Sequence, residues 1–164
     1  MQILVDADSC PREAREMVLR FSARLCIKTI FAANRPIPGL PEIPGIPGNP
    51  GIVLMELCPS GEGAADNRIV ELAGPGDLVL TRDLPLAERL VDAGVTVLDD
   101  RGRVFTKENI KERRSLRDFV VGLAENGLDT ERTASYGRKE LQTFANSLDR
   151  ELTRLMKGIT NNGN

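Results

Sequence analysis

Two aspartates near the N-terminus are the residues whose type and spacing most clearly suggest chemistry. Asp6 and Asp8 lie two positions apart, directly after the apolar run at residues 3–5, and Pro11 follows shortly. An apolar run this short, before a proline that can occupy the first turn of a helix, predicts a buried strand that leads into a helix. Two carboxylates at that point repel each other unless a positive charge lies between them. The pair therefore suggests a divalent-metal site.

The composition restricts which chemistry the chain can perform. Its 164 residues include no histidine, which excludes Ser-His-Asp and Cys-His nucleophiles and histidine-ligated zinc or iron. The three cysteines form no CxxC pair, so neither a disulfide framework nor a zinc knuckle is expected. The remaining oxygen ligands favour Mg²⁺ or Mn²⁺.

Net charge and hydropathy bear on partners and location. The formal net charge is −2, so any nucleic-acid-binding surface must be local. The first residues lack the basic and apolar regions of a signal peptide, and no apolar run is long enough to span a membrane. These features predict a cytoplasmic protein without a membrane partner.

The order of apolar runs and amphipathic stretches predicts the fold class. Five predicted strands lie at about residues 3–5, 26–33, 52–57, 78–81 and 95–98. Predicted helices lie at about 11–25, 64–73, 83–93, 106–125 and 141–155. This alternation is typical of an α/β domain with a central, mostly parallel sheet and helices on both faces. We expect one domain at residues 1–156 with a Pro/Gly-rich loop inserted at 35–51, followed by a flexible tail at 157–164.

Two further acids lie where helices follow predicted strands. Asp66 begins an apolar stripe in the first turn of its helix, which directs it toward the sheet, although a helix-dipole role is the alternative. Asp83 follows the strand at 78–81 and can cap the next helix. The carboxyl ends of parallel strands share one edge, so these two acids can meet Asp6 and Asp8 there. The four acids are the predicted catalytic and metal-binding residues.

Other polar residues are expected to have secondary roles. Asn67 and Thr81 are predicted to support the acids as their hydrogen-bonding neighbours. Asp99 and Asp100 follow the fifth strand, where a turn role is expected.

Several motifs together resemble those of the bacterial YaiI/YqxD family. They are Val-Asp-Ala-Asp-x-Cys-Pro at 5–11, Ala-Asp-Asn-x-Ile-Val at 65–70, Leu-Val-x-Thr-x-Asp-x-Pro-Leu-Ala at 78–87 and Arg-Gly-x-x-Phe-Thr-x-Glu-Asn-Ile at 101–110. The resemblance extends to about residue 155 and implies a PIN-like, three-layer fold. By analogy with the wider PIN-like group, it also implies a Mg²⁺- or Mn²⁺-dependent nuclease acting on RNA or, as the second choice, DNA. The chain departs from the family pattern in its Pro/Gly-rich segment and at Arg114.

Two enzymatic alternatives can be read from the same residues. In a haloacid-dehalogenase-like phosphatase, Asp6 and Asp8 would be nucleophile and acid, and Asp99 and Asp100 would hold magnesium. That pattern lacks a suitably placed lysine after Thr81. A thiol phosphatase using Cys10 is rejected, because the required arginine is misplaced by one position.

A non-enzymatic alternative is a module that binds RNA or a protein. Lys107, Lys111 and Arg114 share one face of a predicted helix and could contact phosphates. Nearby glutamates dilute this charge, so a solvated helix face is the competing interpretation.

Overall fold

The computed structural model describes residues 1–40, 53–125 and 136–161. The described chain forms, in order, β1 (Ile3–Asp6), α1 (Arg12–Leu25), β2 (Thr29–Ala33), β3 (Val53–Leu57), α2 (Ala64–Leu72), β4 (Leu78–Leu80), α3 (Leu84–Asp92), β5 (Thr96–Leu98), α4 (Lys107–Glu125) and α5 (Arg138–Asn161). Each predicted strand and helix is present, with ends that differ by a few residues.

Two predicted segments lie partly outside the described residues. Of the Pro/Gly-rich loop at 35–51, only residues 35–40 are described. Helix α5 continues to Asn161, and residues 162–164 are not described. The domain boundaries and the tail stay predictions.

The five strands form one parallel sheet in the order β3-β2-β1-β4-β5. The predicted α/β class with a parallel sheet is therefore confirmed. From the central strand β1, the chain builds outward in one direction through β2 and β3 and in the other through β4 and β5. Ligands of open α/β sheets bind at the carboxyl ends of strands where the order reverses in this way. Here that position lies between β1 and β4.

Alternate residues of β1 supply two separate apolar cores. Ile3 and Val5 belong to a cluster that includes buried side chains of α1 and α5. Leu4 belongs to a second cluster with buried side chains of α2, α3 and α4. Because successive strand residues point to opposite faces, a fully buried strand forms the middle of three layers. The end of β1 is thus held from both sides.

Local signals determine where the helices begin and end. Asp83 is the N-cap of α3, and Pro85 lies in the first turn of that helix, as predicted. Helix α1 ends at Leu25, and its C-cap residue Cys26 has a left-handed backbone with φ of 55°. None of the described helices combines the length and apolar character needed to cross a membrane.

Candidate acidic site

Asp6 is the last residue of β1, and its carboxylate is held by two hydroxyl groups. Its Oδ2 accepts hydrogen bonds from Ser9 Oγ at 2.7 Å and from Thr81 Oγ1 at 2.8 Å. Asp6 is 6% exposed and Thr81 is 1% exposed, so water competes little with these bonds. The two hydroxyls therefore determine the orientation of the carboxylate.

The Thr81 hydroxyl also contacts the segment that carries Asp83. Thr81 Oγ1 accepts a hydrogen bond from the Asp83 backbone N–H at 3.0 Å. Asp83 Oδ1 in turn accepts the Leu86 N–H at 2.8 Å, which is the N-cap interaction of α3. A single hydroxyl thus connects the ends of β1 and β4.

Asp66 lies in the first turn of α2 and is partly buried. Burial raises the pKa of its carboxyl group, and the negative charges of Asp83 and Asp6 raise this pKa further. Arg89 acts in the opposite direction. Asp66 is therefore close enough to Asp83 and Asp6 for their charges to act on it.

Asn67 and Asp8 have partners away from these three acids. The Asn67 side-chain oxygen accepts a hydrogen bond from Arg89 at 3.0 Å. Asp8 accepts the Asn34 backbone N–H at 3.0 Å and lies 3.3 Å from Nε of Arg35. The structure therefore ties Asp8 to the chain that leaves β2, whereas Thr81 holds Asp6.

The acids do not form a preassembled ligand set. Within residues 1–40, 53–125 and 136–161, no three Asp, Glu, Cys or His side chains are grouped so that they could hold a metal ion. The acids share an edge of the sheet, but Asp83 caps a helix and Asp8 pairs with an arginine.

The loop after β1 has a further support that sequence reasoning missed. Arg15 of α1 donates hydrogen bonds to the carbonyl oxygens of Ala7 at 3.3 Å and Cys10 at 2.5 Å. Its position in the first turns of a helix that follows an acidic loop was the only signal for this role.

Cys10 packs in the core, and burial raises the pKa of its thiol to about 12. The thiol is therefore protonated near neutral pH, which disfavours a nucleophilic role.

The predicted basic face of α4 lies against acids of α3. Lys107 Nζ lies 3.1 Å from Asp92 Oδ1, and Arg114 Nη1 lies 2.8 Å from Glu88 Oε2. Lys111 is exposed on the same helix. Two of the three predicted nucleic-acid contacts thus already have carboxylate partners.

Asp99 has the predicted turn role. Its Oδ1 accepts backbone N–H groups of Arg101 at 2.9 Å and Arg103 at 2.8 Å. Asp100 is buried beside it.

Together, the fold and this edge define a class of protein: a three-layer α/β domain with acids at the carboxyl ends of its central parallel strands. The chain belongs to the YaiI/YqxD family, whose model is described as an uncharacterised one and matches residues 4–154. It is similar to a UPF0178 protein of Treponema pallidum, with 45% identity over 96% of this chain and 84% of the relative. A UPF0178 protein of Myxococcus xanthus is 44% identical over 96% of this chain and 97% of the relative. No solved structure matches the chain.

Proposed function

We propose that this protein is a Mg²⁺- or Mn²⁺-dependent nuclease with a PIN-like fold that hydrolyses phosphodiester bonds, with RNA favoured over DNA and the cytoplasm as its location. The observation that carries the proposal is that one buried hydroxyl, Thr81 Oγ1, binds both the Asp6 carboxylate and the Asp83 backbone N–H where β1 and β4 end. Asp66 of α2 lies near enough for the charges of Asp83 and Asp6 to add to the effect of burial, which raises the pKa of its carboxyl group. Asp6 and Asp83 lie at the ends of central strands, at the edge where α/β sheets bind ligands. A cation between them would remove the repulsion.

The donor chemistry fits a hard divalent cation. Asp6, Asp8, Asp66 and Asp83 offer only carboxylate oxygens, which Mg²⁺ and Mn²⁺ accept directly or through water. Since no three acids are grouped in the described residues, binding requires some of these side chains to rotate. When bound, such an ion supplies charge stabilisation for in-line displacement at phosphorus.

The protein's own residues would position the acids. Ser9 and Thr81 hold Asp6 in one orientation, and Thr81 also binds the backbone of Asp83. Arg89, which bonds Asn67, partly offsets the negative charge around Asp66. These contacts act as hydrogen-bonding supports of the kind that orient metal ligands.

The phosphatase alternative receives less support from the same geometry. It requires Asp99 and Asp100 to hold the cation, yet Asp99 accepts two backbone N–H groups in its own turn. Asp100 Oδ1 lies 3.3 Å from Nε of Arg82, and Asp99 Oδ2 lies 3.6 Å from Nη1 of Arg113. The buried Asp100 Oδ2 has no hydrogen-bond partner among the described residues. A metal ion at Asp99 and Asp100 would therefore lie close to two arginine cations, which disfavours it.

Metal-linked melting curves and a cleavage assay test the proposal together. Asp6→Asn, Asp8→Asn, Asp66→Asn and Asp83→Asn should each abolish Mn²⁺-dependent cleavage of a labelled RNA. With EDTA the Asp6, Asp66 and Asp83 variants should melt at or above the wild-type temperature, because neutralising one of these acids relieves repulsion. Asp8→Asn instead weakens the pair with Arg35 and should melt close to the wild type without metal. With Mn²⁺ the order should reverse, because a ligand at about 100 times its dissociation constant stabilises the native state by about 2.7 kcal/mol.

Asp149→Asn is the matched control, because Asp149 pairs with Arg24 on the surface of α1 and α5. It should keep both the cleavage and the Mn²⁺ shift. The metal site is rejected if Mn²⁺ does not raise the melting temperature of the wild type. It is also rejected if Mn²⁺ raises the melting temperature of the variants as much as that of the wild type. If Mn²⁺ raises the melting temperature and the protein binds RNA without cleaving it, the protein is a non-catalytic binding module.

A further inference from the structure

A cavity of about 450 Å³ lies beside the acidic site, between the end of β5 and helix α4. Five guanidinium groups line it, and we call it the arginine cavity. The arginines are Arg82, Arg101, Arg103, Arg113 and Arg117. Four of them lie in one basic segment of the sequence, at residues 101–117, but nothing in the sequence pattern placed Arg82 beside it.

Two of these arginines are held in position by buried acids. Arg82 Nε lies 3.3 Å from Asp100 Oδ1, and Arg113 Nη1 lies 3.6 Å from Asp99 Oδ2. The Arg113 guanidinium also lies over the Phe105 ring, 5.4 Å from its centroid. Because a guanidinium has five N–H donors, each of these contacts leaves donors available to a ligand. The side chains are oriented before any ligand binds.

The charge of the cavity indicates an anionic ligand. Five guanidinium groups face two carboxylates, whereas the whole chain has a net charge of −2. Arginine forks match the paired oxygens of phosphate groups, and a partly enclosed site strengthens such contacts. Leu84 and Leu116 add apolar lining that suits a sugar or base better than a free inorganic ion. The ligand chemistry is therefore that of a nucleotide phosphate.

The arginine cavity is continuous with the acidic site along the chain. Arg82 directly follows Thr81, whose hydroxyl holds Asp6. The Arg82 backbone N–H also contacts Ser9 Oγ at 3.5 Å, and Ser9 holds the same Asp6 oxygen. A flexible strand bound at one site would therefore reach the other.

We propose that the arginine cavity binds a backbone phosphate of a single-stranded nucleic acid and places the neighbouring phosphodiester at the acidic site. The placement rests on the proposed nuclease function, whereas the binding of phosphate does not. A cavity of this volume suits one nucleotide of a flexible strand rather than a rigid duplex. The Lys107 and Arg114 face is the weaker candidate because both side chains pair with α3 acids.

The test measures binding of a short fluorescein-labelled oligouridine by anisotropy, in EDTA and at several salt concentrations. The cavity variant is Arg103→Gln with Arg117→Gln, both exposed side chains. The control variant is Arg12→Gln with Arg20→Gln, two exposed arginines of α1, which removes the same charge away from the cavity. The cavity variant should bind roughly tenfold more weakly. The slope of log affinity against log salt concentration should become smaller by about 0.7 for each phosphate that the variant no longer neutralises. The control should stay close to the wild type.

The other outcomes each overturn a stated part of the proposal. Equal weakening by both variants, or no weakening by the cavity variant, rejects the arginine cavity. If uridine monophosphate competes as strongly as unlabelled oligouridine, the arginine cavity is a mononucleotide site. That result rejects the binding of a single strand. Should either double variant melt at a lower temperature than the wild type, the single variants Arg117→Gln and Arg20→Gln give the same comparison. EDTA prevents metal-dependent cleavage, so binding is measured independently of it. If the cavity variant weakens binding but the wild type does not cleave RNA in Mn²⁺, the nuclease function is rejected and the phosphate site is kept.

Discussion

At the scale of single residues, the Thr81 hydroxyl makes two hydrogen bonds that link two acids of the acidic site. It donates to Asp6 at 2.8 Å and accepts from the Asp83 N–H at 3.0 Å. These two bonds join β1 to the start of α3 without any charge on the threonine itself. The side chain is almost fully buried, so its loss cannot be compensated by bulk water.

Thr81→Val should therefore destabilise the protein by about 1–3 kcal/mol, because it leaves a buried carboxylate oxygen and an N–H with one partner fewer. Thr81→Ser keeps the hydroxyl and should cost less. Urea unfolding of the two variants without metal measures the difference. Identical midpoints for the valine and serine variants would show that the hydroxyl does not stabilise the fold.

At the scale of elements, the turn between β5 and α4 connects the arginine cavity to α5. Asp99 accepts N–H groups of Arg101 and Arg103 within this turn, and Gly102 lies between them with φ of +83°. A Cβ at Gly102 would lie only 2.7 Å from the Thr143 carbonyl oxygen of α5. The turn therefore needs glycine both for its backbone conformation and for its close packing.

Gly102→Ala should cost about 1–2 kcal/mol for the left-handed backbone and a further ~1–3 kcal/mol for the overlap with α5. Gly94→Ala is the matched control, because Gly94 has φ of +78° but nothing within 4 Å of the added Cβ. Thermal melting of both variants separates the two contributions. We also expect weaker oligouridine binding only in Gly102→Ala, because that turn carries cavity arginines. Equal melting temperatures would mean that α5 moves aside without cost.

At the scale of the whole molecule, α5 closes the core on one face of the sheet. Phe144, Leu148 and Leu152 are fully buried in the same cluster as Ile3 and Val5 of β1. Arg154 also donates to Thr96 Oγ1 at 3.1 Å. The C-terminal helix is thus part of the unit that holds the acidic edge.

Leu148→Ala should destabilise the protein by about 2–5 kcal/mol, because it removes a fully buried side chain from close packing. Asn146→Ala, at an exposed position of the same helix, is the control and should change stability by less than about 0.5 kcal/mol. Denaturant unfolding should be followed by far-ultraviolet circular dichroism and by fluorescence of Tyr136. Coincident transitions are expected. Separate transitions would mean that α5 unfolds by itself.

Tyr136 is a suitable probe because it is the only tyrosine of the chain. Its hydroxyl donates a hydrogen bond to the Asp100 carbonyl oxygen at 2.9 Å, next to the arginine cavity. The fluorescence therefore reports on the end of β5, while circular dichroism reports on all helices.

Much of the architecture could be predicted from the sequence. Buried strands and amphipathic helices leave a periodic pattern within a few residues, so the five strands, the Asp83 cap and the parallel sheet were accessible. The positions of the acids relative to the strand ends could be predicted for the same reason, because the end of a strand is a local property of the sequence. The family motifs contain the same acids and so supported their choice as site residues.

The partners of individual side chains were decided only by the tertiary structure. Thr81 and Asp6 are separated by 75 residues, and no local pattern predicts that their side chains meet. Likewise, the neighbouring arginines of one basic segment divide between carboxylates of α3 and the arginine cavity, as Arg114 and Arg113 show. A helical sequence defines its own faces, but the packing of distant elements decides what each face contacts. Periodicity therefore predicted where the acids lie, and only packing determined which groups hold them.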